Sequence, residues 1–214
     1  MSSQPIGSHW RKAYQHFSGA ILAGIYISIA GAVYLRVGGV AGACLFAFGL
    51  ISVVHYQWPL YTGRSGVVTS WVDMGWLMVT LLGNIIGCAA TACAVKTAYP
   101  QMMETARAVM DVRLGLEPWS VFWMAVGCGT IMTTAVIFAK SGKYLPLIFG
   151  VPVFILCGFI HSIADAFYSN MLPYDSTVDW GAVGLCWLLA VAGNFVGCNL
   201  VRILQLSRKN IVTD

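Results

Sequence analysis

The second half of the chain repeats the first. Gly83-Asn84-Ile85-Ile86-Gly87-Cys88 returns as Gly193-Asn194-Phe195-Val196-Gly197-Cys198, an offset of 110. Gly19-Ala20-Ile21-Leu22 has a weaker echo at the same offset in Gly129-Thr130-Ile131-Met132. Each half reads as three apolar spans. An odd number of spans per repeat makes the two halves enter a bilayer in opposite directions. Inverted repeats of this kind place a solute site near mid-membrane, where the halves meet.

Composition fixes the class. Apolar residues make up 58% of the chain and charged residues 9%, against roughly 25% charged in a soluble domain. The expectation is an all-α polytopic membrane protein, not an enzyme, embedded in the lipid bilayer. Its channel domain covers 17–206 and holds repeats at about 17–97 and 119–206. A cytoplasmic segment, 1–16, precedes it and a cytoplasmic tail, 207–214, follows. The spans read as about 17–35, 39–57, 68–97, 119–139, 144–163 and 179–206. Roughly 20 helical residues cross a hydrocarbon core of about 30 Å. Between the repeats, Met102 to Val112 mixes charges and reads as a short surface helix. No basic cluster interleaved with aromatics suggests nucleic acid. The seven cysteines form no Cys-x-x-Cys pair and read as small packing residues, so no metal or cofactor is expected. The opening polar residues carry Arg11 and Lys12 but no short apolar core with a cleavage site, so the first span reads as retained.

Spans two and five are interrupted. Val40 to Val54 is too short to cross and gives way to His55-Tyr56-Gln57-Trp58-Pro59. Pro59 lacks a backbone donor and clashes with the preceding turn, so the helix should break there. In span five, Leu145 to Ile160 gives way to His161-Ser162-Ile163-Ala164-Asp165. Interruptions at corresponding places in two repeats are the sequence pointer to a solute site. Irregular backbone at that depth survives only against protein or a water-lined cavity.

Basic residues set the expected orientation. With the amino terminus inside, cytoplasmic segments hold Arg11, Lys12, Arg64, Lys140, Lys143, Arg202, Arg208 and Lys209. Outer segments hold Arg36, Lys96, Arg107 and Arg113. The excess favours both termini in the cytoplasm. Trp58, Trp71, Trp76, Trp119, Trp123 and Trp180 fall near span ends or breaks, as an aromatic belt does.

His161 is the residue most open to a functional role. An imidazole in hydrocarbon is costly unless it meets a cavity or a partner, and it can donate and accept hydrogen bonds near neutral pH. Asp165 stands one turn on. It pairs with His161 if the helix continues, or caps a second half-helix. Lys143 either snorkels at the interface or draws anions to a vestibule. Asn84 and Asn194 read as scaffold that bonds irregular backbone. Leu50, Leu60, Tyr61 and Phe154 are core packing unless a pore passes between them.

These residues together resemble the formate/nitrite transporter family of pentameric anion channels. The likeness runs from about Phe17 to Leu204. It rests on Gly158-Phe159-Ile160-His161-Ser162-Ile163-Ala164, on Leu60-Tyr61-Thr62-Gly63, on the two Gly-Asn motifs and on Ser18-Gly19-Ala20-Ile21-Leu22-Ala23-Gly24. The resemblance implies an aquaporin-like protomer of six spans with broken second and fifth helices, a pore in each protomer, and a homopentamer in a bacterial inner membrane. It implies that His161 is the central pore histidine. Leu60, Tyr61 and Thr62 match a mobile loop in the broken second span, Leu50 and Phe154 match constriction residues, and Lys143 matches a lysine at the cytoplasmic entrance. Two departures stand out: Pro59 replaces an acidic residue before Leu-Phe-Thr, and Asp165 replaces an asparagine. One acid is lost from the first half and one gained in the second, as an exchange between symmetry-related positions would give.

The function so implied is passage of small monovalent weak-acid anions, such as formate or nitrite, or of their conjugate acids, with proton transfer at His161. Two rivals follow from the same residues. One is a pore of the same fold for neutral solutes or hydrosulfide; the Asn-Pro-Ala of an aquaporin is missing. The other is a haem-binding redox subunit that uses His55 and His161 as axial ligands.

Overall fold

Helix ends in this chain are set by a few local devices, and these put the breaks where the site forms. The computed structural model describes residues 6–204. The tail 207–214, with Arg208 and Lys209, and residues 1–5 lie outside them. The described helices are α1 (Ile6–Val37), α2 (Gly39–His55), α3 (Tyr61–Ser65), α4 (Trp71–Ala98), α5 (Met102–Leu114), α6 (Pro118–Lys140), α7 (Leu145–Leu156), α8 (Ser162–Met171) and α9 (Trp180–Leu204). The first helix starts ahead of the expected 17, because the polar residues before Phe17 join it. Ser70 opens α4 through a capping box with Asp73, and Pro118 takes the first position of α6, where its missing N–H costs nothing. Residues 102–114 form the expected short helix, which turns Met102, Ala106 and Met110 inward.

Four helices, α1, α4, α6 and α9, are long and apolar enough to cross a membrane. The pairs α2/α3 and α7/α8 are interrupted segments in equivalent places. Both breaks begin with the same device. Gln57 is left-handed at φ 57°; Trp58 N–H donates to Val53 C=O and Gln57 N–H to Val54 C=O. Gly158 is left-handed at φ 74°; Phe159 N–H donates to Phe154 C=O and Gly158 N–H to Ile155 C=O. This pairing of bonds is the Schellman helix stop. It corrects the second break, which starts after Leu156 rather than at His161. The stop belongs to Gly158, whose missing Cβ makes a positive φ free of strain.

Asparagines hold the restart of each broken segment. Asn84 accepts from Tyr61 N–H at 2.9 Å and donates to Ala20 C=O at 2.7 Å and Pro59 C=O at 3.0 Å. Asn194 accepts from Ser162 N–H at 2.8 Å and donates to Ala125 C=O and Ile160 C=O, both at 2.8 Å. Each asparagine thus satisfies backbone inside a break and at the start of the half-helix that follows it, where buried groups lack water.

The same bonds fix the repeat register, and it is not uniform. Asn84 matches Asn194 at 110, but Ala20 matches Ala125 at 105, and Tyr61 matches Ser162 at 101. The echo of Gly19 in Gly129 is therefore out of register; the partner of Gly129 is Gly24. A Cβ on Gly24 would meet Asn84 C=O, and one on Gly129 would meet Asn194 C=O. Small residues let α1 lie against α4 and α6 against α9. The half-helices cross over: α3 packs on α6 and α9, α8 on α1 and α4. Two cysteines secure the exchange. Cys88 Sγ lies 3.4 Å from Ile163 C=O in α8, and Cys198 Sγ 3.1 Å from Thr62 C=O in α3.

Candidate functional site

The two half-helices begin side by side at the centre. Leu60 is the extended residue before α3, and His161 holds the equivalent place before α8. His161 is buried at 2% exposure and Thr62 at 1%. Nδ1 of His161 accepts from Ala164 N–H at 3.2 Å, and Nε2 lies 3.1 Å from Thr62 Oγ1. A backbone N–H can only donate, so Nδ1 is the bare nitrogen and Nε2 carries the proton. The imidazole is thus a neutral donor to the threonine hydroxyl, whose own hydrogen is left to point elsewhere. Phe154 stacks on the ring, with centroids 5.7 Å apart, and Phe46 meets Phe154 edge-on at 6.0 Å. With both ring nitrogens bonded to the protein, His161 has none to offer an iron.

Two cavities border this centre; His161 lines the smaller one, and Thr62 lines neither. The larger, about 500 Å³, has Leu50 and Leu60 at its base and Arg64, Lys140 and Tyr144 in its wall. The smaller, about 200 Å³, reaches His161 and Phe154 and is walled by Tyr34, Arg113, Asp165 and Tyr168. Leu50 and Leu60 thus border the larger space and Phe154 and His161 the smaller, with Thr62 joined to the second set through His161 Nε2.

Other candidates lie elsewhere than the sequence implied. The Tyr61 hydroxyl donates to Val191 C=O at 3.1 Å and Tyr61 lines neither cavity, because its place at the start of α3 turns it into α9. Lys143 is exposed and lies past the Gly142 turn, outside the larger cavity; Lys140, on the last turn of α6, lines it instead. The Asp165 carboxylate neither caps α8, a task His161 performs, nor bonds to the His161 ring; only its backbone N–H donates to His161 C=O, at 2.9 Å. Its Oδ2 faces Arg113 Nε at 3.5 Å, and Arg113 Nη1 donates to Gly158 C=O at 3.1 Å. Pro59 sits inside the first break, its carbonyl held by Asn84. In the 101 register Pro59 corresponds to Ile160 and Asp165 to Arg64, so the two departures from the family pattern do not occupy symmetry-related positions. Sequence reasoning left Arg64, Arg113, Tyr34, Lys140 and Tyr168 without a pore-lining role. A comparison of the two breaks at 101 would have picked out Arg64.

Repeated halves whose broken segments cross, a cavity beside each break and four helices long and apolar enough to span a bilayer define an integral membrane channel of inverted-repeat type. The model of the formate/nitrite transporter family matches residues 8–206, and the chain belongs to that family, one of channels and transporters. Among solved structures, a pentameric formate channel with formate bound aligns with TM-score 0.79 and 22% identity, over 92% of this chain and 97% of its own. An FNT family ion channel aligns with TM-score 0.78 and 16% identity, over 90% and 88% respectively. No curated protein matches at the sequence level.

Proposed function

We propose that the chain conducts small monovalent weak-acid anions, formate and nitrite among them, through a pore inside each protomer of a homopentamer. The pentamer sits in a bacterial inner membrane with both termini cytoplasmic. One observation carries the reading: a buried donor pair, His161 and Thr62, among apolar side chains, with a cavity beside it whose wall carries Arg64 and Lys140. An anion at mid-bilayer faces a large desolvation cost. Arg64 and Lys140 draw it into the larger cavity. Leu50, Leu60 and Phe154, all buried and apolar, strip its water because they offer a hydrated ion no polar partner. The Thr62 hydroxyl, oriented by His161 Nε2–H, then donates to the anion at its least solvated point. Family membership and the fold shared with the formate-bound channel support the substrate class.

A proton step extends the same arrangement. An imidazolium would carry hydrogen on both nitrogens and would have to release Ala164 N–H. Its Nε2 proton would pass to Thr62 Oγ1 as the threonine hydrogen passes to the anion. The acid then leaves neutral, and water returns a proton to the ring. Stopped-flow uptake of formate and nitrite into liposomes at two pH values tests both parts. His161→Ala should lower transport about tenfold, the effect of leaving a buried donor or acceptor unpaired, and should flatten its pH dependence. Unchanged rate and pH dependence would overturn the role of His161. Transport of neutral solutes alone would assign the chain to a neutral or hydrosulfide pore.

A further inference from the structure

The two cavities are copies of each other in the 101 register. Val53, Val54, Gln57, Trp58, Leu60 and Gly63 line one, and Phe154, Ile155, Gly158, Phe159, His161 and Ala164 line the other. At the next position the copies differ in charge: Arg64 in the first, Asp165 in the second. The larger cavity carries Arg64 and Lys140, and no described residue that lines it is acidic. In the smaller cavity the cation, Arg113, comes from α5, outside the repeat. It faces Asp165, with the two side chains 12% and 3% exposed, and the pair sums to zero charge. Arg113 Nε has no hydrogen-bond partner besides this approach, and Nη1 is tied to Gly158 C=O. The guanidinium is therefore held in the wall by backbone on one side and by a carboxylate on the other.

We propose that Asp165 is a built-in counter-anion that occupies Arg113 and makes the pore rectify. Anions pass more readily from the Arg64/Lys140 cavity than from the Arg113 cavity. The inference rests on the anion-pore reading above and deepens it. Two cations with no acid among the described residues that line their cavity raise the local anion concentration, whereas a neutralised pair does not. An incoming anion at the Arg113 mouth also meets the carboxylate in the place where it would itself bind.

Single-insertion recordings in planar bilayers with symmetric sodium formate at low ionic strength test this. Orientation is reported by antibody access to an amino-terminal tag from one chamber. The native protein should show anion current roughly threefold larger when anions enter from the Arg64/Lys140 side, and the ratio should shrink as salt rises toward 1 M, where the Debye length is about 3 Å. Asp165→Asn should bring the ratio close to one by raising current from the Arg113 side, and Asp165→Glu should restore it. Arg64→Gln combined with Lys140→Gln should reach the same ratio by lowering current from the other side, which keeps the test open if Asp165→Asn does not fold. Equal currents in the native protein, or a ratio unmoved by both Asp165→Asn and the double variant, would overturn the inference alone. No anion current in either direction would overturn the proposed function with it.

Discussion

At the residue scale, the centre depends on polar groups that serve backbone rather than solute. Asn194 makes three bonds, two at the second break and one to Ala125 C=O in α6, and none can be replaced by water inside a fully buried contact. Asn194→Ala should cost about 3 kcal/mol, near 1 kcal/mol per bond lost, and a thermal scan in detergent reads it as a clear fall in Tm. Asn84→Ala should match it, because its three bonds are the symmetric counterparts. A variant that leaves Tm unmoved would mean that the breaks are held by something else. The asparagines were legible from sequence because their motif recurs intact. Arg113 was not. It lies on a loop helix outside both repeats, so internal comparison could not reach it, and only the tertiary fold brings it to Asp165. Lys143 shows a different limit: its place along the chain matched a family lysine, but it follows the Gly142 turn and is not among the residues that line the larger cavity.

At the element scale, repeated glycines set how closely paired helices approach. A Cβ on Gly197 would run into Val126 C=O, and one on Gly87 into Ile21 C=O. Backbone on both sides cannot rotate away, so the helices themselves must part. Gly197→Ala should therefore destabilise by about 2 kcal/mol, within the usual range for overpacking a tight contact. Gly184, in the same helix α9, faces open space: a Cβ added there would meet nothing within 4 Å. Gly184→Ala should gain about 0.5–1 kcal/mol from helix propensity. Opposite signs within one helix, measured by thermal unfolding, separate packing from propensity; equal signs would refute the close-approach account. Composition and apolar length made the spans readable. The start of the second break was misplaced because Cys157 to Ile160 is as apolar as the helix before it. The helix ends there through backbone geometry at Gly158, and hydropathy carries no trace of that. Register was hidden for a related reason: along the chain the offset runs 105 for α1/α6, 101 across the broken segments and 110 for α4/α9 as loop lengths change, so no single offset aligns the whole repeat.

At the scale of the whole molecule, both cavities and the closure between them are built from one chain. The half-helices exchange between its own repeats, and every described residue that lines either cavity comes from this one chain. Outside, the protomer is strongly apolar: Phe149 is 67% exposed, Leu145 66% and Phe48 60%. Such a surface is covered by lipid or by further copies. A ring would then bury lateral faces without sharing pores. The consequence is measurable in mixed oligomers. Native protein co-expressed with His161→Ala, separated by tag content and reconstituted in liposomes, should transport formate in linear proportion to the number of native protomers. A shared pore would instead lose activity steeply with the first variant copy, because one altered closure would block the common path. Linear decline places conduction inside the protomer, where His161 and Thr62 join the two repeats; a steep decline would move it to the axis between copies.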